Sequence, residues 1–140
     1  MANKYWFPHD EDAFSDTKIV CLVDKYGALG YGVYWRIVEM LHKEPTHQLK
    51  HNTLLVLSLS IQLKIADENM IEELIDYCIS KLQLFVSDGE SFCSKRVNKN
   101  IEDQNKFAEE RSEKARSAAT IRWEKEKAKK QLEEMNSPDV

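Results

Sequence analysis

Apolar residues recur at helical spacing in several stretches of this chain. Ile19, Leu22, Val23 and Tyr26 fall at i, i+3, i+4 and i+7 behind Asp16, a good helix N-cap, and Gly27 stands where a glycine ends a helix. Gly30-Tyr31-Gly32 then opens a second helix. Tyr34, Ile37, Val38 and Leu41 form its stripe, and Trp35 and Met40 widen it, which predicts the central helix. Pro45 ends it near Lys43. Gln48-Leu49-Lys50 reads as a short extended link. Asn52 caps a third helix through Leu54, Leu55, Val56, Leu57, Leu59 and Ile61, a run that is apolar without a clean period. Asp67 caps a fourth, where Ile71, Leu74, Ile75, Cys78, Ile79 and Leu82 make an unbroken stripe.

A hairpin follows. Asp88-Gly89 between alternating runs predicts a two-residue loop that pairs Phe85 with Phe92 and Leu84 with Cys93. Beyond Val97 the sequence is charged and helix-prone. Phe107, Ile121, Ala128 and Met135 share one heptad frame, but Lys114 interrupts it, so the pattern predicts a solvated helix. The order helix, helix, short strand, helix, helix, hairpin predicts an α+β, mostly helical fold. Its body is a winged helix-turn-helix with a leading helix, followed by an extended C-terminal helix. Residues 52–63 and 67–82 would form the motif, and residues 85–93 the wing. The winged-helix body takes residues 1–97, including an N-terminal aromatic arm, and the charged helical tail takes 98–140.

Composition sharpens that division. Residues 1–97 hold 47 of the 59 hydrophobic residues. The whole chain carries a formal charge of −4, which conceals −6 over residues 1–94, +5 over 95–130 and −3 over the last ten. No run of apolar residues is long enough for a membrane span, and the opening residues hold no apolar signal core, so the expected compartment is the cytoplasm, with no membrane partner. Cys21, Cys78 and Cys93 are odd in number, lack metal-type spacing and read as reduced, buried thiols.

The residues carry a resemblance. Phe7-Pro8-His9-Asp10, Asp16-Thr17-Lys18-Ile19, Lys25-Tyr26-Gly27-Ala28, Gly30-Tyr31-Gly32-Val33-Tyr34-Trp35 and Glu39-Met40-Leu41 resemble a domain family of unknown function found in phages and prophages. Its members often stand N-terminal in DnaD-like replication proteins. The likeness continues through Leu84-Phe85, Ser87-Asp88-Gly89 and Ser94-Lys95-Arg96-Val97, and ends with Ser112-Glu113-Lys114-Ala115-Arg116 and Arg122-Trp123. It implies a winged-helix fold and a role near phage DNA replication, and no established activity.

Charge argues against the usual docking of such a fold. The candidate recognition helix carries Asp67, Glu68, Glu72, Glu73 and Asp76 against Lys81 alone, and its apolar stripe must face inward. An outward acidic face is repelled by a phosphate backbone. The wing tip, Asp88-Gly89-Glu90, is acidic too. Glu68, Glu72, Glu73 and Asp76 are therefore candidate protein-contact residues, with a solvated helix face as the plain alternative. DNA binding would rest on Lys95, Arg96, Lys99, Arg111, Lys114 and Arg122 in the basic arm, where Trp123 could stack or pack. Tyr5, Trp6 and Phe7 either close the core of their own chain or cross to a second copy in a homo-oligomer.

The other constellations favour ordinary duties. Of His42, His47 and His51 only the last two have i, i+4 spacing, and Pro45 with the strand reading argues against a helix there, so no metal is expected. His9, Asp10 and Asp12 read as a turn. Gly27, Gly30 and Gly32 have no preceding strand and are not a phosphate-binding loop. No catalytic constellation or cofactor motif is legible, and the chain reads as non-enzymatic. The leading reading is a replication-associated module that contacts a replication protein through its acidic body and, if it binds nucleic acid, DNA through its basic arm. The alternatives are a phage accessory protein that binds and inhibits a host protein, whose acidic body could imitate nucleic acid, and a prophage remnant that only oligomerises.

Overall fold

The computed structural model describes residues 6–135, and these are mostly helical, with four α-helices, a short 3₁₀ turn and a small antiparallel sheet. Helix α1 (Thr17–Lys43) starts where the Asp16 carboxylate accepts the Lys18 N–H at 2.9 Å. The two helices expected here follow one another within this span and are broken at Gly27, whose φ of 71° and ψ of −162° leave the helical region. Only glycine tolerates that conformation cheaply. The second segment resumes at Ala28 rather than at Gly30. Gly30 serves a different need: a Cβ there would lie 2.7 Å from Cβ of Tyr26, across the bend. Residues 28–43 supply the centre of the core through Val33, Tyr34, Ile37, Val38 and Leu41.

Strand β1 (Leu49–Lys50) leads into α2 (Thr53–Leu63), capped by the Asn52 side chain, which accepts the Leu55 N–H at 3.0 Å. Lys64 ends α2 in the left-handed region at φ 58°, and the Ile65 N–H returns to the Ser60 carbonyl. Helix α3 (Glu68–Ser80) is capped by Asp67 and buries Ile71, Leu74, Ile75 and Cys78, the stripe legible in the sequence. After it the chain turns sharply through Gln83, and the Cys78 carbonyl accepts the N–H groups of both Leu84 and Phe85.

Strands β2 (Val86–Ser87) and β3 (Ser91–Cys93) close the sheet in the order β1-β3-β2. The hairpin register differs from expectation. Val86 pairs with Cys93 and Ser87 with Phe92, so Gly89 and Glu90 are the central turn residues and Asp88 precedes them. The reason is the Asp88 carboxylate, which accepts the N–H groups of Glu90 and Ser91 at 2.9 and 2.8 Å and so acts as the acceptor of the turn. Of the two central residues, Gly89 alone takes positive φ. The shift is by two residues, so each side chain keeps its face, and Phe85 and Phe92 stay buried with ring centroids 5.1 Å apart.

Helix α4 (Lys95–Met135) starts inside the body. Buried Ser94 accepts the N–H of Val97 through its hydroxyl, and Val97 is fully buried. The chain divides into two compact units between Glu102 and Asp103. In the second unit every residue from Glu109 to Met135 is exposed, including Ile121, Ala128 and Met135 of the heptad frame.

The three glycines of α1 should separate in an alanine series followed by thermal unfolding. Gly27→Ala is expected to cost about 1–3 kcal/mol from its backbone conformation, and Gly30→Ala a similar ~1–3 kcal/mol from overpacking. Gly32 is helical and open within 4 Å. Gly32→Ala should therefore stabilise by about 0.5–1 kcal/mol.

Candidate functional site

The carboxylates expected on the outer face of the fourth helix are there. Glu68, Glu72, Glu73 and Asp76 are all exposed on α3, because the buried stripe turns the opposite face outward. Two of them are organised by a residue from another element. His51, between β1 and α2, places its Nε2 3.1 Å from Glu72 and 3.8 Å from Asp76. The donor atoms of these three side chains lie within 4.8 Å of one another, close enough to converge on one divalent ion. The His51–Glu72 contact satisfies the imidazole without one. This arrangement replaces the sequence reading of His51, which considered its spacing from His47. Those two histidines have separate partners, since His47 Nδ1 bonds the Leu41 carbonyl.

The sequence reading missed a second surface beside these carboxylates. Helix α2 has no charged residue in its eleven positions. Leu55, Val56 and Leu59 enter the core, while Leu54, Leu57 and Ile61 are 73%, 41% and 61% exposed. Their spacing of i, i+3 and i+7 puts them on one outward stripe. The missing clean period in this run was the signal. A helix apolar all round exceeds what its own core can cover.

The N-terminal aromatics take the first of their two expected roles in part. Phe7 is half-buried and stacks on His42 at 4.0 Å, and His9 stacks on Trp35 at 3.9 Å. Trp6 is exposed, and Tyr5 lies outside the described residues. Phe7, His9, Trp35, Arg96 and Asn100 line a cavity of about 220 Å³. Asp10 and Asp12 form a turn, with the Asp10 carboxylate accepting the Asp12 N–H.

All six candidate DNA-contacting residues lie on α4 and are exposed. Lys95, Arg96 and Lys99 belong to the first unit, and Arg111, Lys114 and Arg122 to the second. Arg96 has a structural contact as well, with the Tyr34 hydroxyl. Burial pushes that phenol up to about 12, and Arg96 partly offsets the rise. Trp123 is covered on one face by Lys127, whose ammonium sits 5.1 Å from the ring centroid. The cysteines are free, but only Cys78 is buried as expected. Cys93 is half-buried and Cys21 is exposed, because Cys21 falls on the outer face of α1. Burial raises the Cys78 thiol to about 12, which makes it a poor nucleophile.

With this geometry the chain can be compared with known proteins. The profile of the family described as Lin1244/Lin1753-like, N-terminal, matches residues 6–97. The chain belongs to this family. The family is of uncharacterised type. No curated protein and no solved structure matches the chain. The matched Lin1244/Lin1753-like segment holds the acidic face of α3, the exposed stripe of α2 and the start of α4. It stops at Val97, short of the likeness read in the sequence as far as Trp123, and leaves Lys99, Arg111, Lys114 and Arg122 outside.

His42 gives the body a pH dependence. Its Nδ1 lies 2.9 Å from the Val38 carbonyl and so carries the proton, while Nε2 faces the Asn100 amide at 3.5 Å. Burial lowers its pKa, with a smaller contribution from His47, against the opposing hydrogen bond to Val38. The unfolded chain therefore protonates this histidine first as pH falls through 6.5. The stability it supports is complete above that value and is lost below it. Melting temperature should drop as pH falls below about 6.5, and His42→Gln should flatten the drop.

Proposed function

We propose that this Lin1244/Lin1753-like protein is a non-enzymatic interaction module of phage or prophage DNA replication. Its body is a winged helix-turn-helix that binds a replication protein, and the basic residues of α4 bind DNA. The order of elements supports the winged-helix reading: β1 precedes α2 and α3, and the hairpin that follows them pairs with β1. The observation that carries the protein-binding reading is the outer face of α3. In a winged helix that position would enter the major groove, and here it presents Glu68, Glu72, Glu73 and Asp76. Four carboxylates against a phosphate backbone are repelled, whereas the same four attract a basic protein surface.

The carboxylates also favour a second reading. With Asp88 and Glu90 exposed at the hairpin tip, they could imitate the charge of nucleic acid on a phage accessory protein that inhibits a host protein. A pull-down from host lysate with the full chain separates the two. Retention of a replicative helicase or its loader, lost on Glu72→Lys with Glu73→Lys, supports the replication reading. Retention of a defence or metabolic enzyme instead supports the inhibitor.

DNA binding makes its own prediction. Fluorescence anisotropy on duplex DNA should show affinity falling about 10³-fold between roughly 50 and 200 mM salt if about six phosphates are neutralised. Cutting the chain after Lys99 should abolish that binding. Equal binding by the truncated chain would remove DNA from the role of the arm.

A further inference from the structure

We infer that the exposed stripe of α2 is a docking site for a helix of a partner protein, one with apolar anchors at i, i+3 and i+7 and lysine or arginine beside them. This deepens the proposed function and rests on its view of the body as a protein-binding module. The stripe is Leu54, Leu57 and Ile61, on a helix with no charge of its own to keep a neighbour away. Thr53, Ser58 and Gln62 flank it on the helix surface, and Gln62 accepts a hydrogen bond at 2.7 Å from Arg36, whose charge Glu39 pairs at 3.2 Å.

Charge decides the occupant. Glu72 and Asp76 both reach His51, two residues before α2 begins, so carboxylates stand near the N-terminus of the helix that bears the stripe. They are 49% and 62% exposed and can accept a cation from outside. An apolar stripe with acidic residues at one end matches an amphipathic helix whose Lys or Arg flank the anchors at that end. A second copy is a poorer match. Pairing α2 with α2 about a two-fold axis would bring together two bodies, each with net charge −4 over residues 1–97. Burying the leucine and isoleucine side chains supplies the affinity, and the carboxylates select the partner.

The test uses the full chain and two fluorescein-labelled helical peptides. Both carry leucine at i, i+3 and i+7 on an alanine background, one with lysine flanks and one with glutamate flanks. The lysine peptide should bind, and the glutamate peptide should not. The double variant Leu57→Ser with Ile61→Ser, on exposed positions and checked for an unchanged melting temperature, should weaken binding at least about tenfold. Glu72→Gln with Asp76→Asn should weaken it several-fold and flatten its salt dependence. Equal binding of both peptides overturns the inference, as does full binding by the serine variant. A light-scattering mass of a dimer that becomes a monomer in the serine variant overturns it in favour of a second copy. If the helicase or loader is retained equally by wild type and serine variant, the stripe fails while the proposed function stands. If the lysine peptide binds as described and no replication protein is retained, the proposed function fails while the stripe stands.

Discussion

The ring of Tyr34 holds the body together. It is fully buried, lies against Phe85 with centroids 5.6 Å apart and planes within 20°, and meets Trp35 edge-on at 5.4 Å. Phe85 in turn packs on Phe92. One side chain of α1 thereby fixes the hairpin, and the hairpin through β3 fixes β1. The hydroxyl of the same ring faces Arg96, which ties the first turns of α4 to the centre. A phenol at this depth needs a partner, because a buried hydroxyl left without one costs about 1–3 kcal/mol. Phenylalanine would fill the same space and lose the link to α4.

Around this centre the first unit presents surfaces of different chemistry. The exposed face of α3 is acidic, that of α2 is apolar and uncharged, and the first turn of α4 carries Lys95, Arg96 and Lys99. Only the last could attract phosphate. On the proposed winged-helix reading, the nucleic-acid contact moves from the acidic motif position to another helix and leaves the motif for protein, so that salt would modulate one contact while apolar burial sustains the other.

Much of this was legible in the sequence, and the rest was hidden for identifiable reasons. The caps at Asp16, Asn52 and Asp67 and the stripe of α3 are local signals, and the structure repeats them. The outward turn of the α3 carboxylates followed from the stripe alone. The hairpin register was misplaced because Asp-Gly favours two geometries: aspartate can sit inside the turn or accept hydrogen bonds from just before it. His51 and Glu72 are 21 positions apart and their contact leaves no periodic trace. The place of Phe7 over His42, and the link from Tyr34 to Arg96, are likewise tertiary. The stripe on α2 was visible only as an absence of pattern, which a search for patterns passes over.

Strands β1 and β3 have one more consequence. Leu49 pairs with Phe92, Lys50 with Ser91, and the His51 N–H reaches the Glu90 carbonyl. The chain from residue 51 to residue 90 is thus a closed loop pinned at its two ends, with α2 and α3 inside it. Helix α2 cannot turn about its axis to hide Leu57 and Ile61 without breaking that closure and withdrawing Leu55 and Leu59 from the core. Its apolar face is held out whether or not anything covers it. The ordering cost of presenting the face is met once, during folding, so a visiting helix meets a rigid surface and gives up chiefly its own freedom.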